Sequence, residues 1–183
     1  MLDYIALGML QHTELTGYDL KKYIEKGVGV FYRPSYGNLY PSLSRMVEKG
    51  FLLMEERSEG KRQKKYYRIT DCGRNAFLGW LTSPVTPGEN MDSYLVKVYF
   101  FDALSAEERR LQLTSYEKNC KHELEKLEEL ERYFAALPDM DRHYYKLSTL
   151  YYGMAIYRKN MEWCRHIREN KPLQEFSGVE DSK

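Results

Sequence analysis

Residues 33–50 read RPSYGNLYPSLSRMVEKG, which at helical spacing sets hydroxyls, one amide and two cations on one face. At about 100° per residue, Ser35, Asn38, Ser42, Arg45 and Lys49 fall on one arc. Tyr36, Leu39, Tyr40, Leu43, Met46 and Val47 fall on another. The polar arc carries no acid, although Glu48 lies nearby. Such a face suits base edges and phosphates in a major groove, whereas a neutral solvated face would mix Glu with Lys. A second basic element follows. Residues 57–68, RSEGKRQKKYYR, hold Arg57, Lys61, Arg62, Lys64, Lys65 and Arg68 against one acid, Glu59. A basic loop at the tip of two strands can reach phosphates or a minor groove; it can equally be solubilising charge at a turn.

Other chemistries find less support. Cys120/His122 and Cys164/His166 are i, i+2 pairs that point to different sides of a helix, so no metal site is expected. Gly27-Val-Gly29 lacks the GxGxxG and GK[ST] patterns of phosphate loops. No GxSxG, HExxH or carboxylate pair stands out, so no catalytic residue, cofactor or enzymatic activity is expected. The aromatics admit two readings. Tyr144, Tyr145, Tyr151, Tyr152, Tyr157 and Trp163 cluster near the carboxyl end among 17 tyrosines in all. They can serve core and interface packing. Alternatively His143, Tyr144, Tyr151 and Trp163 can line a site for a small aromatic effector, with tyrosine hydroxyls and His143 holding a carboxylate.

These residues need elements to position them. Leu2, Ile5, Ala6, Met9 and Leu10 predict a first helix over 2–11. Thr16, with Asp19 three residues on, caps a second helix to Lys26, which Gly27 and Gly29 end. A third helix spans 36–49 and stops at Gly50. Pro41 conflicts with a helix interior; either the helix starts late, with Asn38 near its cap, or its first turn is irregular. Phe51–Arg57 and Lys64–Ile69 predict two strands around the turn SEGKRQ. Thr70 or Asp71 caps a fourth helix ending near Leu81. Three helices followed by a hairpin is the winged helix-turn-helix order.

The segment TSPVTPGEN, residues 82–90, predicts a boundary because Pro84 and Pro87 cannot continue a helix and Gly88 and Asn90 favour turns. Beyond it lie a short helix over 90–102, a long one from the Ser105/Glu108 capping box to Leu137, and a last one over 140–170. Leu113, Tyr116, Cys120, Leu127, Leu130, Phe134 and Leu137, and then Leu147, Leu150, Met154, Tyr157, Met161 and Cys164, follow 3/4 spacing, which indicates helices packing along their length. So few helices leave apolar seams to cover, and a homodimer is expected. The predicted fold is mainly α with a small β-hairpin. Residues 1–82 form a winged helix-turn-helix, 83–90 a linker, 91–171 a helical dimerisation and effector domain, and 172–183 a flexible tail.

Composition agrees with a folded chain. The 183 residues are 43% hydrophobic and 30% charged, with a mean hydropathy of −0.66, which excludes a disordered tail. No apolar run reaches the roughly 18–20 residues that span a bilayer. The start, MLDYIALGML, has an acid where a secretory signal carries bases. Three separated cysteines, Cys72, Cys120 and Cys164, read as reduced thiols of a cytoplasmic protein. Net charge is +1, but residues 1–80 are net positive and residues 81–183 net negative, so the basic excess is local.

Residues 3–80 resemble the PadR family of bacterial winged-helix transcriptional regulators. The resemblance is carried by LTGYDLKKYIE (15–25), PSYGNLYPSLSRMVEKGFL (34–52) and KKYYRITDCGR (64–74). Residues 90–170 resemble the longer members by length and helical pattern. The resemblance implies a homodimeric repressor on a palindromic promoter site in double-stranded DNA, released in some relatives by phenolic or other aromatic effectors. It also implies that Ser35, Tyr36, Gly37, Asn38, Tyr40 and Ser42 read DNA, that Lys61, Arg62, Gln63, Lys64 and Lys65 form the wing, and that Tyr18 meets a phosphate. Arg45 joins them from the helical arc alone. Two rival functions are a winged-helix protein–protein adaptor and a small-molecule carrier using the tyrosine cluster.

Overall fold

Capping residues decide where the helices of the amino-terminal unit begin. The computed structural model describes residues 1–32, 35–59, 62–85, 91–136 and 140–177, and the chain divides into two compact units, Met1–Leu104 and Ser105–Lys183. In the first unit, α1 (Leu2–Met9) leads into β1 (Leu15–Thr16) and α2 (Gly17–Lys26). The Thr16 hydroxyl accepts the Asp19 amide at 3.2 Å and donates to the Asp19 carboxylate at 2.6 Å, closing the first turn of α2. A 3-10 turn at Tyr36–Asn38 runs into α3 (Leu39–Glu48). Gly50, at φ +72°, closes α3. The Phe51 amide donates to the Met46 carbonyl and the Gly50 amide to the Val47 carbonyl, the paired bonds of a Schellman end.

Two long strands follow, β2 (Leu52–Glu59) and β3 (Arg62–Ile69), paired antiparallel from Leu52↔Ile69 to Glu59↔Arg62. The expected hairpin is a three-stranded sheet, because β1 pairs along the other edge of β3 with Leu15 opposite Tyr67. Two residues are too few to show strand periodicity. Thr70 caps α4 (Asp71–Thr82), accepting the Gly73 amide at 3.0 Å. Ile5, Leu20, Ile24, Leu39, Leu43, Phe77 and Leu81 are fully buried and form the core that fixes these helices.

The boundary expected over 83–90 differs from the observed division after Leu104. Residues 86–90 lie outside the described residues, but α5 (Met91–Tyr99) packs on the first unit. The Phe100 ring sits where a Cβ on Gly8 would be, 2.6 Å away, and the Tyr99 hydroxyl fills the corresponding place at Gly27. Lys97 is buried, donating to the Ser83 carbonyl at 2.6 Å and lying 5.3 Å from the Trp80 ring.

The second unit is an antiparallel pair, α6 (Ala106–Ala135) and α7 (Tyr144–Arg168), followed by α8 (Leu173–Ser177). Ser105 and Glu108 form the expected capping box. Leu124, Leu147, Leu150 and Met154 make the core, flanked by Leu127, Phe134, Tyr157 and Met161. Cys120 and Cys164 are buried thiols that form no disulfide, and burial pushes the Cys120 thiol up to about 11. The tail expected to be flexible from residue 172 is helical over Leu173–Ser177. There the His166 ring meets the Pro172 carbonyl at 2.8 Å and faces Phe176. Residues 178–183 lie outside the described residues.

Two glycines of α4 make opposite predictions. A Cβ on Gly73 would strike the Phe51 carbonyl oxygen, whereas one on Gly79 meets nothing. In urea denaturation, Gly73→Ala lowers stability by about 3 kcal/mol through overpacking. Gly79→Ala raises it by about 0.5–1 kcal/mol through lost unfolded-chain entropy.

Candidate nucleic-acid interface

The setting of α3 about its own axis decides which side chains reach outward. Leu39, Ser42, Leu43 and Met46 are buried, so Gly37, Tyr40, Pro41, Ser44 and Glu48 lie on the open side. Pro41 is the third residue of α3, where its missing N–H costs no intrahelical bond. Both alternatives hold: the α-helix starts late, with Asn38 at the cap position, and the turn before it is 3-10. The Asn38 side chain makes no capping bond to α3 and is exposed. Ser35 and Gly37 are exposed, and nothing lies within 4 Å of the place a Gly37 Cβ would take.

Two residues of the predicted polar arc are corrected. Ser42 is 1% exposed and donates a short hydrogen bond to Asp3 of α1, so it cannot meet a base. Arg45 is tied to the same carboxylate, 3.1 Å from Oδ1 and 3.3 Å from Oδ2. Counting Tyr40 among the apolar residues misplaced the arc. Leu39, Leu43 and Met46 alone, at i, i+4 and i+7, mark the stripe that packs inward and put Ser44 on the far side. That signal identifies Ser44, which the sequence reading missed.

The open side of α3 forms one wall of a cleft of about 920 Å³. Thr16, Gly17, Tyr18 and Asp19 line it from the start of α2, Tyr40 and Ser44 from α3, and Gln63, Lys64, Lys65 and Tyr67 from β3. The Tyr40 ring crosses the start of α2 so closely that a Cβ on Gly17 would lie 2.6 Å from it. Tyr18 is 59% exposed, with the Lys22 ammonium 4.5 Å from its ring centre. Tyr36 lies under Lys21 at 5.1 Å. Partial burial, then the Glu25 carboxylate, raise the Tyr36 phenol, which keeps it a neutral donor. Five predicted residues, Tyr18, Tyr40, Gln63, Lys64 and Lys65, thus line one surface. Lys61 and the side chain of Arg62 lie outside the described residues.

The wing is less basic than its sequence count. Arg57 pairs with Glu14 and donates to Glu55 at 2.7 Å while its guanidinium lies 4.9 Å from the Tyr66 ring centre. Lys65 faces Glu56 at 3.4 Å. The hydrogen bond from Arg57 holds both Glu14 and Glu55 below the usual carboxylate range. Arg57 is therefore a staple between the wing and the segment before β1.

The predicted effector set does not converge. Tyr144 and Tyr151 are exposed on α7, and the His143 ring meets the Phe134 ring edge-on at 5.6 Å. Trp163 lies 19 residues beyond Tyr144, about 28 Å along the helix at 1.5 Å per residue. One small ligand cannot touch both within a single chain. Among the described residues no group of His, Cys, Asp and Glu could hold a metal, and no helix is long and apolar enough to cross a membrane.

Residues 6–78 match the model of the transcriptional regulator PadR-like family, and residues 92–170 match the one described as virulence activator alpha C-term. The negative transcriptional regulator PadR of Bacillus subtilis is 33% identical over 111 residues, covering 59% of this chain and 60% of that protein. A probable transcriptional regulator of Mycobacterium tuberculosis is 26% identical over 87 residues, covering 47% of this chain and 46% of that protein. Each match therefore spans less than two thirds of the relative's length. Among solved structures, Bacillus subtilis PadR in complex with operator DNA aligns over 92% of this chain and 96% of its own, at 26% identity and TM-score 0.45. The same protein with p-coumaric acid aligns over 92% and 97%, at 26% identity and TM-score 0.42.

The Arg57 staple has a pH signature. Carboxylates whose folded pKa is depressed add stability that is whole above their ordinary value of 4.5 and lost as pH falls through the lowered folded values. Urea denaturation of wild type and Arg57→Gln at neutral pH and below pH 4.5 should show a smaller loss on acidification for Arg57→Gln. Equal losses would remove Arg57 as the cause.

Proposed function

We propose that this chain, whose residues 6–78 match the PadR-like family of transcriptional regulators, is a homodimeric repressor that binds a palindromic promoter site. The observation that carries this reading is the cleft where the start of α2, the open side of α3 and the wing converge around Tyr18, Tyr40, Ser44, Gln63, Lys64 and Lys65. Tyrosine hydroxyls and ammonium groups are donors suited to phosphate oxygens, and they position a protein on a duplex without reading its sequence. Sequence reading falls to the first turns of α3, where Asn38 offers an amide that can pair with adenine N6 and N7. Glu48, on the open side one turn beyond Ser44, keeps the far end of α3 away from phosphate.

Dimer formation is supported by the second unit. Two helices of 30 and 25 residues bury only one seam against each other and leave Tyr133, Tyr144, Tyr145, Tyr151 and Tyr152 exposed. Exposed aromatic surface on this scale is characteristic of protein interfaces. Repression is supported by the Bacillus subtilis relative, which is a negative regulator. A small aromatic acid as releasing ligand is supported by the same tyrosines. Within one chain it can meet His143 and Tyr144, or Trp163.

Mobility shifts at several salt concentrations test the division of labour. Lys64→Ala and Lys65→Ala weaken binding to every sequence alike, each flattening the slope of log affinity against log salt by about 0.9 for a lost phosphate contact. Asn38→Ala instead relaxes preference at one base pair, by about 1–3 kcal/mol. Equal losses on all sequences for all three variants would contradict the assignment of base reading to α3.

A further inference from the structure

We propose that Asp3 sets how selectively this protein binds DNA, by holding the Arg45 guanidinium away from phosphate. The inference rests on the DNA-binding function proposed above. Arg45 stands on the rim of α3, between the buried arc and the open side, and its side chain is 50% exposed. Its Nη2 donates to both oxygens of Asp3, at 3.1 and 3.3 Å, and to the Ser42 hydroxyl at 3.2 Å. The Ser42 hydroxyl is buried and donates to Asp3 in turn. One carboxylate in the first turn of α1 thus gathers the donors of two α3 residues.

A carboxylate beside a phosphate-binding surface opposes binding unless it does something else there. Here it pairs with a half-exposed cation next in sequence to Ser44, which lines the cleft. Non-specific affinity rises with the number of phosphates a protein neutralises, and selectivity is the ratio of specific to non-specific binding. Keeping Arg45 occupied lowers the first quantity and leaves base reading by the opening turns of α3 untouched. The pair is partly exposed, so its intrinsic strength is small and the guanidinium is released once the carboxylate is neutralised.

The test uses the full chain and an arbitrary-sequence duplex, with affinity read by fluorescence anisotropy at several salt concentrations. Asp3→Asn keeps a carbonyl oxygen for the Ser42 hydroxyl and removes the charge. It should bind the arbitrary duplex roughly 3- to 10-fold more tightly, with a log–log salt slope steeper by about 0.9, one additional phosphate contact. Adding Arg45→Gln should return the affinity to within twofold of wild type. Asp3→Ser, which also offers Ser42 an acceptor, should behave as Asp3→Asn does and guards against a folding defect in either variant. No gain in both neutral variants overturns the inference. So does a gain that survives Arg45→Gln, since removal of a negative charge would then explain it alone. Wild type that binds no duplex at low salt overturns the proposed function itself, whereas wild type that binds while the variants match it overturns only the role of Asp3.

Discussion

The rotation of α3 about its own axis is the constraint on which the proposed DNA-facing surface depends. Leu39, Leu43 and Met46 are buried against the other helices, and each contributes about 1.5–3 kcal/mol through the apolar area it removes from water. Turning the helix by one residue, about 100°, would bring Leu43 to the surface and bury Ser44. The hydrophobic stripe therefore sets where Tyr40 and Ser44 point, and Asp3 reinforces it through Ser42. The closing bonds at Gly50 fix the end of α3 from which the wing departs, and the cap at Thr16 fixes the start of α2.

Much of this was legible in the sequence where a local rule acts alone. Thr16 with Asp19, Ser105 with Glu108, and Gly50 each solve a helix end with residues three to five positions apart, and the structure forms these ends as read. The 3/4 spacing of Leu147, Leu150 and Met154 likewise reports the α6–α7 seam. Pro41 looked like a contradiction only because the helix boundary was placed three residues early.

What was not legible depends on partners distant in sequence. Ser42 reads as polar and exposed until Asp3, 39 residues earlier, is brought beside it. Arg57 counts as a free cation until Glu14, 43 residues away, takes it up. The strand at Leu15–Thr16 exists because β3 supplies its hydrogen bonds, not because two residues prefer to be extended. The expected effector residues are spread apart for a related reason: a shared helix and a shared chemistry do not shorten the rise between Tyr144 and Trp163. The surface charge of the wing is consequently a property of the folded pairings, with Gln63, Lys64 and Lys65 gathered at the cleft while Arg57 is drawn into the scaffold.

Selection of bound duplexes from a random library by the purified protein bears most directly on the claim that two copies of this cleft-lined surface read DNA together. Enrichment of an inverted repeat, its half-sites about one helical turn or roughly 34 Å apart, is the expected result. A pool that stays random after repeated rounds, while the protein remains folded, would contradict it.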